Sequence, residues 1–230
     1  MAPVIPSIFF FILLGILFAD IIELSFAKLG IPGWATLLIF AGSLIGSTIN
    51  IPLWTRNEGI TPGYIFRHHG WIGYHPPVYQ QQVIAINVGG AIIPILLSLY
   101  LLEHTHLLRT LLAIAIVAVV SHIDARIVPG QGVEMDVWIA PVTAALCALV
   151  LTLGDRAAPM AYIAGTIGAL LGADISNLGR LSALGPGWLS IGGAGVFDGV
   201  FLSGFVAALI SFERPRRPRF SRPPSPRHEL

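Results

Sequence analysis

What most constrains this chain is the recurrence of apolar runs of bilayer length. A helix that crosses the hydrocarbon core needs about 20 predominantly apolar residues. In order, the runs cover 5–27, 34–53, 83–102, 107–122, 135–153, 158–178 and 190–212. Only 11% of the 230 residues are charged and 55% are hydrophobic, whereas a soluble domain carries about 25% charged residues. The pattern predicts an all-α membrane protein: a bundle of about seven transmembrane helices in one polytopic domain, 1–212, with the lipid bilayer as its partner. The first run lacks a positive n-region and exceeds a signal-peptide core in length, so it is expected to be retained.

The end of the chain has a different composition. Six arginines (Arg214, Arg216, Arg217, Arg219, Arg222 and Arg227) and five prolines fall in the last seventeen residues. Such a segment cannot bury a core, so 213–230 is predicted to be a disordered basic tail. It reads as a topology anchor rather than a nucleic-acid arm, and no nucleic-acid partner is expected. The positive-inside rule places it in the cytoplasm. Seven spans then put the N-terminus outside and the turns bearing Lys28, Arg109 and Arg156 inside.

Several chemistries find no support. The single cysteine, Cys147, allows neither an internal disulfide nor a cysteine metal cluster. The connection 54–79 holds His68, His69 and His75, but adjacent histidines cannot easily serve one ion from a regular helix, and no carboxylate pattern accompanies them. No metal site is predicted there. Its Trp71, Tyr74 and Tyr79 suit a segment lying on the membrane face. No nucleotide, haem or flavin motif is present, so no cofactor is expected.

The alternating topology sorts the polar residues. Spans two, four and six run outward, which places Asn50, His122, Asp124, Asp174 and Asn177 toward their outer ends, with Arg126 just beyond. Spans three, five and seven run inward, and Asn87, Asp136 and Asp198 lie near their outer starts. A carboxylate within a span costs about 2.5–3.5 kcal/mol on insertion scales and faces a partner or a wet cavity. A single polar pocket opening to the extracytoplasmic side is therefore expected. On span six, Gly165, Gly168 and Gly172 form one stripe, with Asp174 roughly opposite; on span seven, Gly192, Gly195, Gly199 and Ser203 form another, with Asp198 off it. Pro94 is expected to kink span three.

The chain also repeats itself. Gly42–Asn50 reads GSLIGSTIN and Gly168–Asn177 reads GALLGADISN; each is followed by a Gly-Gly-Ala step, Val88–Ala91 and Ile191–Ala194. Spans one to three and five to seven form a candidate 3+1+3 parallel repeat of a kind found in transporters.

At GADISNLG, SIGGAGVFDGVFLSG, SLIGSTINIPL and ARIVPGQG the chain resembles a prokaryotic family of integral membrane proteins catalogued as a domain of unknown function (sixteen-fourteen). The resemblance covers nearly everything but the tail and is most specific around Asp198. Glu134, Met135 and Asp136 depart from the more apolar stretch expected there. The resemblance implies a helical membrane fold, a prokaryotic plasma (inner) membrane location and a role for Asp174 and Asp198. It implies no activity.

Three functions compete. The first is transport of a small solute or cation, proton-coupled or not, in which Asp174 and Asp198 bind the ion, Asn50, Asn87 and Asn177 orient the ligand, and His122, Asp124 and Arg126 complete the site; His122 can titrate near neutrality. The second is an intramembrane aspartyl peptidase with Asp174 and Asp198 as catalytic residues sharing a proton. Phe197-Asp198 and Gly172-Ala173-Asp174 faintly resemble presenilin-type motifs, but in the opposite order and without a following Pro-Ala-Leu. The third is a non-catalytic membrane subunit or assembly factor. A homo-oligomer is left open.

Overall fold

In this computed structural model the chain is described over residues 20–62, 64–68, 71–75, 78–128, 132–153, 156–183, 187–193 and 199–211. Helices dominate. They are α1 (Asp20–Lys28), α2 (Gly33–Gly46), α3 (Ile93–Leu102), α4 (Leu107–Asp124), α5 (Ile139–Thr152), α6 (Ala157–Ala169) and α7 (Gly199–Ile210). Two segments are both long and apolar enough to cross a membrane: Leu107–Asp124 and Ala157–Arg180. The pair α1 and α2, bent by 113°, makes a third if taken as one span. The segment around α6 reaches that length because it continues through a π-helical turn, Leu170–Asp174, into a 3-10 helix, Ile175–Ala183.

The expectation of an all-helical chain is corrected by strands. Expected span two ends as a helix at Gly46, and Asn50–Thr61 forms β1. Expected span three begins as β4, Val78–Asn87, passes through a π turn at Val88–Ile92 and becomes α3 only at Ile93. Expected span seven begins as β7, Gly187–Ile191. β1 and β4 pair antiparallel from Asn50 opposite Asn87 to Thr61 opposite Val78, and β7 joins β4 in parallel, with Gln82 opposite Gly187 and Ile86 opposite Ile191. Short apolar runs satisfy strand and helix alike, and the Val and Ile of QVIAIN favour the strand. At the far end of the ribbon, β2 (Tyr64–His68) and β3 (Trp71–His75) form a hairpin where a membrane-face loop was expected. A smaller hairpin, β5 (Arg126–Val128) with β6 (Gly132–Glu134), joins α4 to α5.

α6 is the central helix. Nearly every residue from Ala157 to Ala169 is buried, and α3, α4, α5 and α7 pack around it. Glycine is required where helices touch. A Cβ on Gly168 would lie 2.6 Å from Val117, and one on Gly172 would lie 2.2 Å from the Ala118 carbonyl oxygen, both on α4. A Cβ on Gly165 would instead meet Ser203 of α7. The predicted stripe therefore serves two neighbours. The predicted stripe on span seven does not form from Gly192, which sits in the turn after β7 at φ +80°, a conformation that favours glycine. Pro94 stands within one continuous helix, Val88–Leu102, directly after the π turn, so the departure from α geometry expected near it falls at Val88–Ile92.

These contacts fix the helix directions. Gly168 lies beside Val117 and Gly172 beside Ser121, so α4 and α6 run parallel. Gly46 lies beside Gly89 and Gly42 beside Ile93, so α2 and α3 run antiparallel. Arg109 donates to the Leu151 carbonyl and Arg156 to the His104 carbonyl, at 3.2 and 3.1 Å, which ties the starts of α4 and α6 to the ends of α5 and α3. Lys28 Nζ donates to the carbonyls of Leu209 and Ser211 at the end of α7. Lys28, Arg109 and Arg156 thus gather at one end of the bundle.

Candidate functional site

The opposite end carries the polar residues, arranged in two sets. The first is built on the sheet. Asn87, fully buried, closes β4 and caps the following π turn: its Oδ1 accepts from Gly90 N at 2.7 Å. Its Nδ2 donates to the Ser47 carbonyl at 2.8 Å and to Asn50 Oδ1 at 3.1 Å. Ser190 of β7 donates to the same Asn50 oxygen at 2.6 Å and lies 2.8 Å from the Gly193 carbonyl. Asn50 and Asn87 face each other because the β1–β4 register places them opposite. A buried amide left unpaired costs about 1–3 kcal/mol, and here each is engaged by a neighbour.

The second set stands where α6 departs from α-helical geometry. Asp174 is the last residue of the π turn, and its Oδ2 accepts from Gly192 N at 2.8 Å. The left-handed Gly192 aims that N–H at the carboxylate. Its close neighbour is Gly90: a Cβ there would lie 2.1 Å from the Gly192 carbonyl oxygen, so the two Gly-Gly steps touch. Asn177, one 3-10 turn after Asp174, is 2% exposed. Its Nδ2 donates to the Ala173 carbonyl at 2.9 Å and reaches that of Gly172 at 3.4 Å, while its Oδ1 has no hydrogen-bond partner among the described residues. π-helical turns inside α-helices occur often at functional sites.

His122, Asp124 and Arg126 take other roles. His122 Nδ1 lies 2.7 Å from Ser176 Oγ, whose hydroxyl donates to the Gly172 carbonyl; His122 therefore carries its proton on Nδ1 and donates to the serine. This bond fastens α4 to the 3-10 segment. Asp124 Oδ2 accepts from Asp136 N at 2.8 Å, and Asp136 Oδ1 accepts from Trp138 N at 3.1 Å at the start of α5. Arg126 pairs in register with Glu134, and these residues with Asp124, Met135 and Asp136 line a hollow of about 270 Å³. The residues of the expected pocket thus divide: Asn50, Asn87 and Asp174 meet at the contact of Gly90 with Gly192, with Asn177 a turn away, while Asp124 and Arg126 line the hollow. Asp198, His69 and Gly195 lie outside the described residues. No group of three or more His, Cys, Asp or Glu placed to hold a metal occurs among the described residues.

Ser190 and Ser176 were missed in the sequence reading. WLSIGG carried one available signal, a serine two residues before a Gly-Gly step, and DISN carried the other, a serine between two candidate ligands.

Residues 44–210 match the model of a family described as Protein of unknown function (DUF1614). No curated protein and no solved structure matches the chain.

Proposed function

The chain belongs to the DUF1614 family, and we propose that it is an integral membrane protein that transports a small solute or cation through a site at Asp174. The observation that carries this reading is the position of Asp174: a carboxylate at the break of the central helix, held by the peptide N–H of a second broken element at Gly192. Interrupted helices with polar groups at the interruption are how transporters build ion sites within a bilayer. Membrane embedding is supported by the outer surface. α4 exposes Leu108, Leu111, Leu112, Ile116, Val119 and Ile123, and each such side chain in water forgoes roughly 1.5–3 kcal/mol of burial. Strands are compatible with a bilayer only when their backbone groups are paired, and β4 is paired on both edges from Gln82 to Ile86.

In this reading the bundle has seven spans, related as a 3+1+3 repeat, in a prokaryotic plasma membrane. The end with Lys28, Arg109 and Arg156 is cytoplasmic, and the polar end opens outward. The test is reconstitution into liposomes carrying a sodium- or pH-sensitive dye. Cation flux that falls to the level of empty vesicles in Asp174→Asn supports transport. Equal flux in wild type and empty vesicles overturns it. Cleavage of a fluorogenic transmembrane peptide, lost in Asp174→Asn and Asp198→Asn, would establish the aspartyl peptidase instead. With neither activity, the non-catalytic subunit or assembly factor stands.

A further inference from the structure

The two ends of the Asn177 amide are treated differently. Nδ2 is committed to the α6 carbonyls of Ala173 and Gly172. Turning the amide over would set Oδ1 against those carbonyl oxygens, so the orientation is dictated by the backbone. Oδ1 is therefore a fixed acceptor in a side chain 2% exposed, and it has no protein donor among the described residues. A buried acceptor of this kind is nearly always satisfied. Asp174 closes the π turn three residues earlier, so it and Asn177 stand about one helical turn apart across the break.

We infer that the break in α6 binds a small, hard monovalent cation through oxygen, with Asn177 Oδ1 as a ligand beside the Asp174 carboxylate; this rests on the reading of Asp174 as the transport site. Among the described residues the break carries one carboxylate, and one carboxylate balances one positive charge. A neutral amide oxygen adds a second ligand without adding charge, which favours a sodium-like ion over a divalent one. Hard cations take oxygen ligands. The solute left open above is thereby narrowed to a class, and the role of Asn177 changes from orienting a ligand to holding the ion.

The experiment is thermal unfolding of the purified full-length protein in detergent, followed by tryptophan fluorescence. Sodium chloride, potassium chloride or magnesium chloride is titrated against choline chloride at constant ionic strength. Sodium is expected to raise Tm with the logarithm of its concentration once above its dissociation constant, by roughly 5 °C at a hundred times that constant. The rise should vanish in Asp174→Asn and need at least tenfold more sodium in Asn177→Ala. Each variant is compared with itself in choline, so a general loss of stability does not affect the result. Three results would overturn the inference: no difference between sodium and choline in wild type, an unchanged sodium concentration at the onset of the rise in Asn177→Ala, or stabilisation by magnesium at lower concentration than sodium. Sodium-dependent stabilisation without flux would sustain this site and sink the transport reading; flux without it would do the reverse.

Discussion

The two Gly-Gly regions of the chain touch each other and are secured in opposite ways. At Val88–Ile92 the polar work is done by neutral amides that use up their hydrogen bonds: Asn87 reaches Ser47, Asn50 and Gly90. At Ile191–Gly193 it is done by a carboxylate, Asp174, whose segment also carries an amide oxygen without a partner among the described residues. The sequences that lead into them differ in the same sense: GSLIGSTIN has Thr48 where GALLGADISN has Asp174. One helix stops and becomes a strand; the other loosens into π and 3-10 turns and keeps its charge. The first region reads as a lock and the second as a site.

The harshest way to break this comparison is to force the two turns apart. Gly90→Ala would place a methyl 2.1 Å from the Gly192 carbonyl oxygen, and Gly192→Ala would put one 2.5 Å from the Ala91 Cβ at a φ of +80°. Backbone cannot yield as a side-chain tip can, so each is expected to cost more than about 4 kcal/mol. In size-exclusion chromatography both should lose the monodisperse peak. Gly179→Ala, with nothing within 4 Å, should leave it unchanged.

A milder test compares the amides directly. Asn87→Ala strands the Gly90 N–H and the Ser47 carbonyl and removes a donor from Asn50, for about 3 kcal/mol. Asn177→Ala removes a side chain whose Oδ1 has no partner among the described residues and should cost only about 1 kcal/mol. Unfolding in choline, without a bound ion, measures both. Equal losses would mean that the second region is as much a lock as the first.

The end far from both regions supplies a reference. Lys28 donates to the last carbonyls of α7, whose dipole favours a cation there. Lys28→Met should lower stability by about 1 kcal/mol and leave cation flux through reconstituted vesicles intact.

Much of this arrangement was already readable in the residues. The directions of α4 relative to α6 and of α2 relative to α3 agree with the spacing of the apolar runs, and Asn50, Asn87, Asp174 and Asn177 fall at one end of these helices. The contact faces of Gly168 and Gly172 follow from helical geometry. The sheet did not follow. VIAIN and GWLSI are apolar enough to pass for helix starts, and nothing local says that one will lie parallel to the other across a separation of about a hundred residues. The hydrogen bond from Gly192 to Asp174 depends on that pairing, so the neighbour of Asp174 could not be named from sequence even though Asp174 itself could. Asp124 and Arg126 show the reverse error: their place at the helix end was right, but the β5–β6 hairpin draws them into a separate hollow.

The smallest structural change makes the sharpest test. Asp174→Asn keeps an oxygen that can accept from the Gly192 N–H, so that hydrogen bond should hold and the variant should lose less stability in choline than Asp174→Ala. What the substitution removes is the charge. If the two regions differ as lock and site, flux and sodium-dependent stabilisation should both disappear from a protein that keeps this hydrogen bond. Asp174→Ala, which also strands the N–H, should lose the same activities and in addition about 1–2 kcal/mol. Were Asp174→Asn instead to lose stability as Asp174→Ala does, the carboxylate would be a fastening for Gly192 and the second region a lock like the first.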